Sequence, residues 1–392
     1  MRRANPVPDA AHRSVRDAGR EPAFGRVSAA FDKARQARPD DVHESRYVFG
    51  GRGVRLRVIG HALATHIMRP FAHLQDAALP ADRVELEIDL WDERETNVAH
   101  PSDSSQADLR AVESGATGWD VVGASDGEES QRWRVGGGLA TSFQSGRVFR
   151  YVRPGAITWL DREAGRAIGW RASGVQLPPQ EQSKPLPLLL GIWYYDCDIH
   201  VVHAGLVAWR GQGVLVGGGS GAGKSTTTLA CLQTGFEFLG DDQCGLQALE
   251  GGSFLGHSLY GGARVAPNHV EHFPQLRAGA GRGQAVRDDK LLLFPAEVLP
   301  TQLARTATIR AIVLPRVATA EQSRVRRASK GEALLRLAPT SLFTAFGAGA
   351  RGFERLAQLV ERVPCFWLEL GRDIAAIPQR VEAMLDEGAA RR

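Results

Sequence analysis

Gly218-Gly219-Ser220-Gly221-Ala222-Gly223-Lys224-Ser225 fits G-x-x-x-x-G-K-[ST] at every defined position. A β-like run precedes it and an amphipathic helical pattern follows. Glycines at these positions let backbone N–H groups turn onto phosphate oxygens, and the helix N-terminus adds partial positive charge. In that setting Lys224 reaches the β- and γ-phosphates, Ser225 ligates Mg²⁺, and residues Gly218 to Thr226 together are the expected nucleotide-binding set, Thr226 being its last member. Seventeen residues after Lys224, "FEFLG" ends in Asp241-Asp242. Two adjacent carboxylates can divide the work: one holds the hydration shell of Mg²⁺, the other accepts a proton from an incoming hydroxyl. The chemistry these residues suit is phosphoryl transfer from ATP.

The elements that must position them are short. A helix after the loop ends near Gly235, and the "FEFLG" strand is expected beside the loop strand, its carboxyl end near the γ-phosphate. Upstream, "DIHVVHAGLVAWRGQGVLVGGG" reads as a strand, a tight RGQG turn and the strand entering the loop. Downstream, "IRAIVLPRV" and "CFWLELG" read as strands; "KGEALLRLA", "GFERLAQLVERV" and "IPQRVEAML" read as helices. "RYVFGGRGVRLRVIG" alternates around a Gly turn, and 147–172 suggest an antiparallel meander. The Pro-rich stretch 177–187 marks a boundary. The expected organisation is a disordered tail over 1–44, a smaller α+β domain over 45–180 and a catalytic α/β domain over 188–390. Residues 95–132, acidic and Gly/Ser-rich, read as a long loop.

"GGSGAGKSTTTLACLQTGFEFLGDDQ" resembles the catalytic domain of HPr kinase/phosphorylase and its relatives, which pair a P-loop with a DD motif after one helix and one strand. The family also carries a histidine in an "HA" dipeptide before the loop strand, here His203 in "VVHAGLVAW". "LGDD" is similar to the second motif of phosphoenolpyruvate carboxykinase, which shares the core fold. The resemblance implies a P-loop kinase domain of that type. It makes Asp241 the candidate base, Asp242 the candidate metal-supporting carboxylate and His203 a polar partner of the base or the phosphate. Two departures stand out: Thr226 where HPr kinases commonly have Glu, and no counterpart of their "EIRGLG"-type signature. Both argue against HPr as substrate and fit relatives in peptide-modification systems, some of them associated with lasso peptides, that phosphorylate a precursor-peptide serine.

The implied activity is an ATP- and Mg²⁺-dependent kinase acting on a serine of a peptide or protein. A small-molecule hydroxyl kinase and a nucleotide-gated ATPase or binding module are the alternatives. Net charge is +4 with basic residues spread along the chain, which argues against a nucleic-acid surface. No apolar run reaches about 18 residues, so no membrane span is expected. Four cysteines without a CxxC pair and no secretory start suggest a cytoplasmic protein; a homo-oligomer is open. Arg264, and Lys290 or Arg287 on a lid, are secondary candidates for the transferring phosphoryl. His257, His269 and His272 lack metal-site spacing.

Overall fold

The computed structural model describes residues 22–101, 128–135, 138–145, 148–276, 290–344 and 349–389. The chain is mixed α/β and divides into two units. The first takes in residues up to 45, 54–64 and 84–176; the second takes in 46–53, 65–83 and 177 onward.

One eight-stranded sheet, most of whose residues fall in the first unit, has the strands β1 (Val42–Phe49), β2 (Arg52–Ile59), β3 (Val84–Asp92), β4 (Glu128–Val135), β5 (Gly138–Ser145), β6 (Val148–Arg153), β7 (Ala156–Asp161) and β8 (Arg166–Arg171). Their order is β1-β2-β3-β8-β7-β6-β5-β4, antiparallel along the meander and parallel where β3 meets β8. Gly50 (φ +57°) and Gly51 (φ +80°) supply the positive dihedrals that a two-residue hairpin needs. The helix Pro22–Ala37 lies where the sequence suggests a disordered tail. Phe24, Val27, Phe31 and Ala34 recur at helical spacing and are all buried, in one core with Trp91, Ile157, Trp159 and Ile168. Burying that face offsets the ordering entropy that a charged, Ala-rich segment would not otherwise overcome. Residues 1–21 and 102–127, parts of the stretches read as tail (1–44) and acidic loop (95–132), lie outside the described residues, whereas residues 128–132 of that expected loop open the strand β4.

The second unit holds a nine-stranded sheet. Its strands are β9 (His200–Val202), β10 (Ala204–Trp209), β11 (Gln212–Gly217), β12 (Glu237–Gly240), β13 (Cys244–Ala248), β14 (Phe254–Ser258), β17 (Thr306–Val317), β18 (Arg324–Arg327) and β19 (Cys365–Leu370); β15 (Ala263–Val265) and β16 (Leu291–Leu293) form a separate ribbon. The main order is β12-β10-β11-β17-β14-β13-β9, with β19 parallel to the second half of β17 and β18 on its far side. Period-two alternation covers both faces. Val214, Val216, Ala311 and Val313 pack with helices Lys224–Leu232 and Ile377–Ala389. Leu215, Ile312 and Leu314 pack with Leu337, Leu356 and Leu359, from helices Lys330–Thr344 and Gly349–Arg362.

One expected neighbour is different. β12 pairs with β10, not with the loop strand β11. Arg210 (φ +52°) and Gly211 (φ +76°) close a two-residue turn that folds β10 back along β11 and fills that side of it. The "FEFLG" strand therefore adds one position further out.

Candidate functional site

The loop leaves β11 through Gly218 (φ +141°), Gly221 (φ +77°) and Gly223 (φ +103°) and enters the helix Lys224–Leu232. At Gly223 an added Cβ would lie 2.2 Å from Leu370 Cδ1, so both its dihedral and its packing require glycine. An added Cβ at Gly219 or Gly221 would meet nothing within 4 Å, so that part of the loop backbone is open. Ser220 is exposed and Ala222 half-buried. The buried Lys224 ammonium folds onto its own loop, donating to the carbonyls of Gly218 (2.8 Å) and Gly219 (3.0 Å). Burial lowers its pKa and nearby Lys184 and Lys290 add to that, while Asp242 and Asp241 oppose it.

Asp241 and Asp242 end β12 in different surroundings. Asp241 is 3% exposed. Its Oδ2 accepts from Ser225 Oγ (3.0 Å) and the Arg264 backbone N–H (3.2 Å); its Oδ1 accepts from Thr228 Oγ1 (3.1 Å). Burial pushes this carboxyl up and the charge of Asp242 adds to it, against those three hydrogen bonds. Gly205 on β10 makes the approach possible from one strand further away. A Cβ there would lie 2.5 Å from Thr228 Cγ2 and 3.1 Å from the Asp241 carbonyl oxygen.

The Asp242 side chain keeps 31% of its surface exposed. Lys184 Nζ donates to its Oδ2, and His203 Nε2 lies 3.1 Å from its Oδ1. Burial works against its ionisation, yet Lys184 and then His203 hold the carboxyl well below the usual range. His203 is shifted down by burial, with Lys224 and Lys184 adding and Asp242 opposing. A carboxylate only accepts, so the His203 proton sits on Nε2. The His203 backbone N–H donates to Ser341 Oγ (3.2 Å), tying the "HA" dipeptide to the helix Lys330–Thr344.

The cleft in front of the pair is lined by Lys184, Ser225, Asp241, Asp242, Arg264 and Lys290, among others. The structure thus brings Arg264 and Lys290 to the residues named from sequence; Arg287 lies outside the described residues. Thr226 is turned away, its Oγ1 3.3 Å from His269 Nδ1. His257 bonds Gln247 (2.9 Å), and burial lowers its pKa to about 4. It forms no metal-holding group with His269 and His272 among the described residues. Sequence reasoning missed Lys184, set in Pro-rich "SKPLP", and Thr228. A signal for Lys184 existed: the chain has five lysines against forty-three arginines, and three of the five gather here.

No family model and no curated protein matches the chain. Among solved structures, the HPr(Ser) kinase/phosphatase from Coxiella burnetii aligns with 49% of this chain and 97% of its own, at 13% identity and a TM-score of 0.26.

Proposed function

We propose that the chain is an ATP- and Mg²⁺-dependent kinase that phosphorylates a hydroxyl, with a serine of a peptide or protein as the acceptor. One observation carries the reading: buried Asp241 grips the loop hydroxyl of Ser225, while its neighbour Asp242 faces the cleft between Lys184 and His203. The residues fit a magnesium nucleotide. The loop backbone is open at Gly219 and Gly221, and Lys224 spends its donors on two loop carbonyls that phosphate oxygens would replace. Ser225 and Asp241 are the groups that would hold Mg²⁺, which neutralises phosphate charge when bound.

This division of the two aspartates reverses the one the family resemblance implies. Asp242 takes the proton of the acceptor hydroxyl. His203 positions it by donating from Nε2, and its neutrality keeps that donor from becoming a competing cation. Lys184 balances the carboxylate's charge and, with Arg264 and Lys290, lines the acceptor side with positive charge. A carboxylate held this acidic is a weak base. Phosphoryl transfer tolerates that, because catalysis rests mainly on positioning and charge stabilisation.

The test is transfer from γ-labelled ATP and Mg²⁺ to parallel panels of serine peptides and small hydroxyl metabolites. Label should appear on a serine peptide and vanish with Lys224→Ala. Label confined to a metabolite would move the acceptor to small molecules. Phosphate release with no labelled acceptor would replace the kinase reading with a nucleotide-gated ATPase.

A further inference from the structure

We propose that Asp41, His43 and His61, in the first unit, form a binding site for a divalent transition metal of the zinc class. The proposal is independent of the kinase reading. Asp41 ends a 3₁₀ turn (Pro39–Asp41), and His43 follows two residues later in β1. His61 opens the helix His61–Met68. One ligand atom from each of the three lies within 4.8 Å of the others, and no other such group of His, Cys, Asp or Glu occurs among the described residues.

The backbone beneath the three is pinned. The Gly60 N–H donates to the Asp41 carbonyl (3.3 Å), joining the segments that carry the ligands. Gly60 turns the chain from β2 into the helix at φ +111°, where an added Cβ would lie 2.8 Å from Asp92 Cβ. The Glu95 carboxylate accepts from the N–H of His61 (2.9 Å) and Ala62 (3.1 Å), fixing the start of that helix. His43 Nε2 and Asp41 Oδ1 are 2.9 Å apart. Tetrahedral zinc with bonds of about 2.0–2.1 Å separates two ligand atoms by roughly 3.3 Å, so the ion asks the His43–Asp41 pair to open by a few tenths of an ångström and the His61 nitrogen, within 4.8 Å of them, to close onto it. The two imidazoles are 5.6 Å apart and tilted by 55°, so their edges can converge. Two nitrogens and one carboxylate oxygen suit Zn²⁺, Ni²⁺ or Co²⁺ and not the oxygen-seeking Mg²⁺. One charge that opposes the ion is Arg38, whose guanidinium is 4.0 Å from Asp41 Oδ2.

Such a metal ties the 3₁₀ turn, β1 and the helix His61–Met68 together and stabilises the unit by mass action. The test uses the full chain after chelation, titrated calorimetrically with Zn²⁺ in excess Mg²⁺, with Co²⁺ absorption as a reporter of imidazole ligation. Wild type should take up a single Zn²⁺ more than the His43→Ala/His61→Ala variant, and its melting temperature should rise with Zn²⁺ and not with Mg²⁺. His61→Gln, at an exposed position, guards against a folding defect and should weaken this binding by at least about tenfold. Equal stoichiometry, affinity and thermal shift in wild type and both variants would overturn the site, as would a wild type that takes up no Zn²⁺ below millimolar concentration.

Discussion

Burial separates the two adjacent aspartates. Asp241 holds its proton above the ordinary carboxylate value because its surroundings are dry. A group raised on folding lowers stability as pH climbs through that value, since the unfolded chain then releases a proton the folded chain keeps. Asp241→Asn removes the penalty and can retain the bonds to Ser225, Thr228 and Arg264. In metal-free buffer its melting temperature should exceed wild type by a margin that grows from about pH 4 upward. Asp242 has the opposite sign. Its depressed value contributes stability above the ordinary range, lost on acidification, so Asp242→Asn is destabilising at neutral pH and the gap closes in acid. Thermal melts across pH check both signs; equal pH slopes in wild type and Asp241→Asn would contradict the first. The sequence makes the pair visible by spacing, but depth of burial is a tertiary property that "GDD" does not encode. Lys184 stayed hidden because a Pro-rich stretch reads as punctuation, not as part of a site.

At the scale of elements, the route from β12 to the loop depends on a residue without a side chain. Gly205→Ala places a methyl against Thr228 and the Asp241 carbonyl, neither of which has room to give. Overpacking of this kind costs about 1–3 kcal/mol. It should also raise the Mg²⁺ concentration needed for transfer, by moving Thr228 off Asp241. Denaturant unfolding and a Mg²⁺ titration measure the two effects; an unchanged variant would show that this contact is loose. Most elements near the loop are legible in sequence because their apolar periods are clean, as in "VLVG" and "GFERLAQLVERV". The place of β12 is not, because a period of two says that a strand exists and not which strand it joins. The helix Pro22–Ala37 carries a legible stripe of Phe24, Val27 and Phe31, diluted by the charged residues between them.

For the whole molecule, the two units make two separable claims. Magnesium ATP should slow amide exchange over 217–232 and 237–243 and leave β6 to β8 unchanged. Zinc should instead protect 42–45, 54–59 and 61–64, in the first unit. Hydrogen exchange with each ligand alone separates the two; nucleotide protection confined to the meander would move the site away from the loop. Among the described residues no helix is long and apolar enough to cross a membrane.

The division of labour between Asp241 and Asp242 is tested most directly by label transfer to a serine-peptide pool from γ-labelled ATP, with free Mg²⁺ titrated for wild type, Asp241→Asn and Asp242→Asn. Asp242→Asn should still bind ATP yet lose roughly 10²–10⁴-fold in transfer at every Mg²⁺ concentration. Asp241→Asn should recover as Mg²⁺ is raised. Wild-type transfer by Asp242→Asn, or a Mg²⁺ shift that follows Asp242 instead of Asp241, would contradict the account.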